Sequence, residues 1–184
     1  MNFQKIFDEI ADALEGNVHL DELASQDRSP FEILISTILS ARTRDSNTRK
    51  VTKVLFNQLS TPKEIAEASI ERLEELVYST GFYKAKAKNI KETSRIIHEE
   101  YDGEVPATFK KLKELPGVGR KTANCVLVYA FRKPAICVDT HVHRISNRLG
   151  WVQTKRPIQT ERALKKLIPR DEWIRINRIF VKFG

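Results

Sequence analysis

In the stretch LPGVGRKTANCVLVYAFRKPAICVDT, residues 115–140, a lysine stands where a helix begins. Lys121 falls in the first turn after Pro116-Gly117-Val118-Gly119, where the helix macrodipole already carries positive partial charge. Arg120 adds a second cation beside it. Both effects favour a neutral amine over an ammonium, and a neutral lysine amine is a nucleophile capable of Schiff-base chemistry. An exposed lysine contacting a phosphate is the other reading of the same residue. Further on, Asp139 closes the apolar run Ala135-Ile136-Cys137-Val138. A carboxylate there can cap a helix over THVHRISNRL. Beside an amine it can instead stabilise oxocarbenium-like charge at a sugar C1′, or help deprotonate the attacking amine.

The elements around these residues suit an anionic ligand. Two glycines flanking one apolar residue allow a tight hairpin in which the N–H groups near Gly117 and Gly119 face outward while Val118 anchors the turn inward. With the following helix N-terminus they form a sequence-independent phosphate site. A plain helix–helix turn capped by glycine would use the same residues. A P-loop is excluded, because Arg120 stands between the last glycine and the lysine and the preceding segment reads as helical. A dinucleotide fingerprint would need a third glycine where Thr122 stands.

The rest of the chain predicts an all-α fold. Phe3, Ile6, Phe7, Ile10 and Leu14 follow helical spacing. Ser29-Pro30-Phe31-Glu32 and Thr61-Pro62-Lys63-Glu64 are capping boxes with proline at the first helical position. Asp45 or Ser46 can cap NTRKVTKVLFNQL, and Ser69 can cap IERLEELVYS. A long helix is predicted from about 84 to 101, with others over 108–114, 120–131, 140–149, 158–167 and 171–183. Trp151 and Trp173 read as packing residues.

Composition bounds the function. The 184 residues are 41% hydrophobic and 30% charged, which describes a soluble globular chain with room for one compact unit or two small lobes. Its apolar runs are too short for a membrane span, and MNFQKIFDEI carries acids where a secretory leader needs a basic start. A cytoplasmic location is expected, nucleoid-associated in a prokaryote and nuclear in a eukaryote. Cys125 and Cys137 fit neither a disulfide framework nor a metal motif and are expected to be two small buried thiols. Net charge is +8; residues 1–30 hold two bases against seven acids, leaving +13 for the remainder. Such an asymmetry suits a polyanionic partner.

LPGVGRKTA followed by VDTHVHRISNR resembles the helix-hairpin-helix and later aspartate of the endonuclease III family of DNA glycosylases. ILSARTRDSNT, GFYKAKAKNI, the GEVP turn and FVKFG extend the resemblance over nearly the whole chain. It implies two helical lobes with DNA in the groove between them: a six-helix lobe over 23–133, and a second lobe of 1–22 with 134–184. It further implies that Lys121 attacks C1′ of a flipped-out nucleotide, that Asp139 assists, and that the imine undergoes β-elimination. Arg42 matches a loop position where many relatives carry glutamine, and Phe82 a wedge position that is often leucine; both could fill a vacated base stack. His141 could face the base pocket or be an ordinary packed histidine. The expected partner is double-stranded DNA with a damaged or abasic nucleotide, bound by a monomer. No cofactor is expected from the residues of this chain: relatives carry four cysteines for a [4Fe-4S] cluster after the FVKFG-like segment, so a cluster is expected only if the native chain continues past Gly184. Removal of oxidised pyrimidines is the leading activity. A mismatch-directed thymine or uracil glycosylase, and a non-catalytic DNA-binding module, are the alternatives.

Overall fold

The computed structural model describes residues 2–12 and 28–183. Within them the chain forms α-helices and one turn of 3-10 helix, with no strand. The predicted Leu14 end of the first helical stripe, and the proposed lobe boundary near residue 22, lie outside the described residues.

Local chemistry starts most helices. Ser29 Oγ accepts the N–H of Glu32 at 3.2 Å, while Glu32 Oε2 accepts the N–H of Ser29 at 2.9 Å. This reciprocal box opens α2 (Pro30–Ser40), after α1 (Phe3–Asp12). α3 (Asp45–Phe56) begins differently from the sequence expectation: Arg44 takes the cap position without a side-chain bond, and Asp45 becomes the first helical residue. An aspartate there still complements the positive helix end. Thr61 and Glu64 repeat the box at 3.2 and 2.8 Å to open α4 (Pro62–Glu67), and the N–H of Thr61, joined by that of Ser60, holds the Glu64 carboxyl below its ordinary range. Ser69 caps α5 (Ile70–Val77). α6 (Tyr83–Glu100), α7 (Phe109–Glu114), α8 (Arg120–Tyr129), α9 (Thr140–Arg148), α10 (Pro157–Leu167) and α11 (Trp173–Phe183) complete the order.

The buried side chains fall into two clusters. One gathers α2 to α8 around residues such as Leu34, Leu55, Leu73, Ile90, Leu112 and Val126. The other joins α1 to α9, α10 and α11 through Phe7, Ile145, Leu164 and Phe180. Phe7 is fully buried, with its ring 6.0 Å from Trp151 and 6.3 Å from Phe180, so the N-terminal helix is packed on the C-terminal ones.

A segment without helix or strand, 132–139, runs between the clusters after a left-handed turn at Arg132. Ala135 and Cys137 point into the first, while Ile136 and Val138 point into the second. That alternation is the two-residue period of an extended backbone. The two cysteines are not the free thiols expected from sequence. Cys125 on α8 and Cys137 on the extended segment are joined by a disulfide, with Cα atoms 5.2 Å apart. Spacing concealed the pair because the chain turns back after α8 and brings the two residues side by side.

Two stability predictions follow from this packing. Phe7→Ala should destabilise the protein by about 3–5 kcal/mol through loss of buried area and an unfilled cavity, read as a lower urea midpoint. Reduction of the disulfide, or Cys125→Ser with Cys137→Ser, should cost about 2–4 kcal/mol by releasing a closed loop in the unfolded chain. Thiol titration of the native, unreduced protein should find no free cysteine; two titrating thiols would refute the bridge.

Candidate active site and nucleic-acid interface

The hairpin between α7 and α8 is held from beneath by α6. Thr93 Oγ1 donates to the Pro116 carbonyl at 2.9 Å, and Val118 is buried in the first core cluster. Gly117 has φ 74°, and a Cβ there would meet the Asn89 side chain at 3.0 Å, so both backbone conformation and space require glycine. Gly119 caps α8, and open space surrounds the place a Cβ would occupy. The first-turn N–H groups of α8 have no acceptor within the helix and are available to an anion.

The two cations at this helix start have different surroundings. Arg120 donates to both carboxylate oxygens of Glu161, at 2.6 and 3.0 Å, and its guanidinium lies 4.9 Å from the centre of the Phe109 ring. Lys165 donates to the same carboxylate at 2.7 Å. Burial would push the Glu161 carboxyl up, but the bonds from Arg120 and Lys165 outweigh it and hold the group below its ordinary range. The unopposed Arg120 charge expected from sequence is thus compensated by a buried carboxylate. Lys121 is exposed, and among the described residues no carboxylate pairs with its amine. Arg120, Lys121, Asn124, Val138, Ile158 and Glu161 contribute to the lining of a cavity of about 340 Å³.

Asp139 is the N-cap of α9. Its Oδ1 accepts the N–H of Val142 at 2.8 Å, and its Oδ2 accepts from Asn177 Nδ2 at 3.4 Å. The segment leading to it is tied to α8 by the disulfide and by Asn124 Nδ2, which donates to the Ile136 carbonyl at 3.0 Å. Cys137 Sγ lies 3.6 Å from the Lys121 carbonyl oxygen, so the lysine's own backbone sits against the strip that ends in Asp139. His141 is half-buried in the first turn of α9, 3.4 Å by Nδ1 from an Arg144 guanidinium nitrogen. His143 is bonded to Thr160 at 2.6 Å, which makes it a packing residue between α9 and α10.

Arg42 and Phe82, forty positions apart in sequence, are neighbours on one surface. Both have left-handed backbones, φ 53° and 59°, and the Arg42 guanidinium lies 5.3 Å from the centre of the Phe82 ring. Phe82 is 65% exposed. The loops bearing them touch through backbone: a Cβ on Gly81 would stand 2.9 Å from the Arg42 carbonyl oxygen. Asn47 Nδ2 donates to the Ser79 carbonyl at 2.6 Å. From α6, the buried Lys86 amine donates to the Leu39 carbonyl and to Thr43 Oγ1, both at 2.7 Å, and burial lowers its pKa to about 8.

Sequence reasoning singled out the residues at the ends of these networks and missed those that hold them. Glu161, Asn124, Asn177 and Lys86 carry no local signal, since each acts on a segment distant in sequence; an asparagine inside the apolar run of α8 was the one visible hint. Among the described residues no group of three or more His, Cys, Asp or Glu side chains is arranged to hold a metal ion. The two cysteines of the sequence are committed to each other and do not provide the four-cysteine set of an iron–sulfur site. No helix among the described residues is long and apolar enough to cross a membrane.

Residues 35–170 match the family described as HhH-GPD superfamily base excision DNA repair protein. Endonuclease III of Thermotoga maritima is 56% identical over 159 residues, which span 86% of this chain and 75% of that one. The structure of a non-covalent endonuclease III–DNA complex superposes with a TM-score of 0.88 at 39% identity, over 99% of this chain and 84% of that one. A trapped endonuclease III–DNA covalent intermediate with an estranged adenine gives 0.86 at 39% identity, over 100% and 86%. Helix-hairpin-helix, exposed lysine and helix-capping aspartate thus sit on a scaffold shared with proteins solved on DNA, and the chain belongs to the HhH-GPD superfamily of base excision DNA repair proteins, within its endonuclease III family of DNA glycosylases with AP lyase activity.

Proposed function

We propose that this protein removes oxidised pyrimidines from double-stranded DNA and nicks the resulting site, with Lys121 as nucleophile and Asp139 as the assisting carboxylate. The observation that carries the reading is the exposed Lys121 amine, which pairs with no carboxylate among the described residues, on a helix start whose Lys121 carbonyl lies against the strip that ends in Asp139. The Lys121 amine attacks C1′ of the extruded nucleotide, and the bond from C1′ to the base breaks with its electrons leaving on the base, which takes up a proton. Asp139 offsets the positive charge that develops on the sugar and accepts a proton from the attacking nitrogen. Opening of the sugar ring gives an iminium between Lys121 and C1′. Loss of a 2′ proton then expels the 3′ phosphate by β-elimination, and water releases the lysine.

In the same reading Gly117, Val118 and Gly119 shape a cradle for a backbone phosphate, supplied by outward N–H groups and the α8 N-terminus. Arg42 and Phe82 act as a pair that fills the space left by the extruded nucleotide, the guanidinium toward the orphaned base and the ring between steps. Base extrusion costs a few kcal/mol and least where pairing is already damaged, which supplies part of the selectivity. Arg120, committed to Glu161, belongs to the frame of the site, and His141 to the rim of the base pocket. In this reading one lobe runs from α2 to residue 133 and the other joins α1 to residues 134–183, with DNA bound between them by a monomer. Any iron–sulfur cluster would have to draw its ligands from chain beyond Gly184.

Borohydride trapping tests the chemistry. Incubation with duplexes holding an abasic site, thymine glycol or a G·T mismatch, followed by reduction, should yield a covalent adduct on the first two that vanishes in Lys121→Gln. Fastest trapping on the mismatch would favour the thymine glycosylase alternative, and tight binding without any adduct would sink the lyase step and leave a monofunctional glycosylase or a binding module. A second expectation concerns the wedge. Gly81→Ala forces the Arg42 loop away and should slow excision of a paired, damaged base by on the order of 10²-fold while sparing cleavage of a ready-made abasic site. Equal loss on both duplexes, measured in single turnover, would remove the wedge role.

A further inference from the structure

We propose that Asn177, keyed by Tyr129, is the residue that positions the Asp139 carboxylate for reaction. The inference rests on the reading of Asp139 as the carboxylate that assists Lys121, and it adds a device from the far end of the chain that sets its geometry.

Asn177 lies on α11 and is buried, 4% exposed. All three arms of its amide are occupied. Nδ2 donates to the Cys137 carbonyl at 3.0 Å and to Asp139 Oδ2 at 3.4 Å, and Oδ1 accepts the Tyr129 hydroxyl at 2.6 Å. This set fixes which way the amide faces. Turned over, it would set Oδ1 against a carbonyl and a carboxylate, two acceptors, so the contacts of Nδ2 decide the face while the Tyr129 hydroxyl anchors the other arm. Tyr129 sits at the last turn of α8, the same helix that begins with Lys121. A single rigid element therefore carries the nucleophile at one end and, at the other, the hydroxyl that orients the amide facing Asp139.

The consequence for Asp139 is geometric. Its Oδ1 is held by the N–H of Val142 and its Oδ2 by Asn177, so two donors on different helices fix the plane of the carboxylate. An N-cap needs only the first of these. The second is superfluous to capping, yet it is placed on the oxygen that the cap leaves over. Freed from Asn177, the carboxylate could turn about its Cβ–Cγ bond while α9 stayed capped, and the assisting oxygen would lose its alignment on C1′.

The test is a double-mutant cycle on the AP lyase step. Wild type, Asn177→Leu, Asp139→Asn and the double variant are compared on a duplex with an abasic site, by the single-turnover rate of strand nicking and of borohydride trapping. Binding to a duplex with a non-cleavable tetrahydrofuran site is measured alongside. Asn177→Leu should lower the rate by about 10- to 100-fold, the range expected for a misaligned catalytic group, with binding nearly unchanged. In the Asp139→Asn background the same change should add at most about twofold, because the group it positions is already gone. Multiplying losses, or a loss that resides in binding, would mark Asn177 as a structural residue and overturn the inference. A wild-type rate in Asp139→Asn would instead defeat the underlying reading of Asp139, an outcome distinct from a wild-type rate in Asn177→Leu alone. Tyr129→Phe, which removes only the hydroxyl, guards against misfolding: it should slow nicking severalfold without changing tetrahydrofuran-duplex binding, and a wild-type rate there would refute the keying role.

Discussion

The site depends on how one short strip of extended chain is buried on both sides. Ala135 and Cys137 enter one core cluster while Ile136 and Val138 enter the other, so the strip cannot slide by one residue without exchanging every side chain between environments. Its register is further pinned by the disulfide and by Asn124. With the strip fixed, Asp139 has one possible position, and the helix it caps has one possible start. The place of Asp139 on the backbone is therefore a result of core packing, and the bonds from Val142 and Asn177 act only on the orientation of its carboxylate.

The same helix that anchors the strip presents the lysine. A cation in the first turn of α8 opposes the macrodipole, and two adjacent cations oppose it twice. The fold resolves this unequally. Arg120 is neutralised by Glu161, a carboxylate with only 3% of its side chain exposed, and lies over the Phe109 ring. Lys121 receives no such compensation among the described residues. Stabilising one cation through a buried pair while leaving its neighbour open is how a helix start can carry an unfavourable charge without giving up its fold. Removing Glu161 would leave Arg120 to compete for the same surface as the lysine.

What could be read from sequence divides along a physical line. Capping boxes at Ser29 and Thr61, the cap at Ser69 and the hairpin glycines are encoded within four or five residues, so local pattern suffices to find them. The α3 start was misplaced onto Asp45 or Ser46 because several polar residues there are equally able to cap, and backbone context chose Arg44. Asp139 could be named as a carboxylate of interest, but its second oxygen's partner lies on α11. Cys125 and Cys137 read as separate thiols in sequence, since nothing in a linear spacing announces that the chain folds back between them. Lys86 reads as one more base in a basic helix until its amine is found buried against the Leu39 carbonyl.

The loops of Arg42 and Phe82, which we propose act as a wedge, carry that distinction furthest. Arg42 and Phe82 each occupy a left-handed backbone position that an ordinary side chain adopts reluctantly, at a cost on the order of 1 kcal/mol or more per residue. Neither strain would persist in an isolated loop. It is maintained because Gly81 lets the second loop approach the Arg42 carbonyl, because Asn47 and Ser79 clip the loops together, and because Lys86 holds the first loop from below. The Arg42 guanidinium and the Phe82 ring are thus set side by side by contacts within the protein. A wedge that must enter a base stack gains from this: ordering energy already spent within the protein is not subtracted from binding, so more of the contact energy remains available to offset the unstacking of DNA.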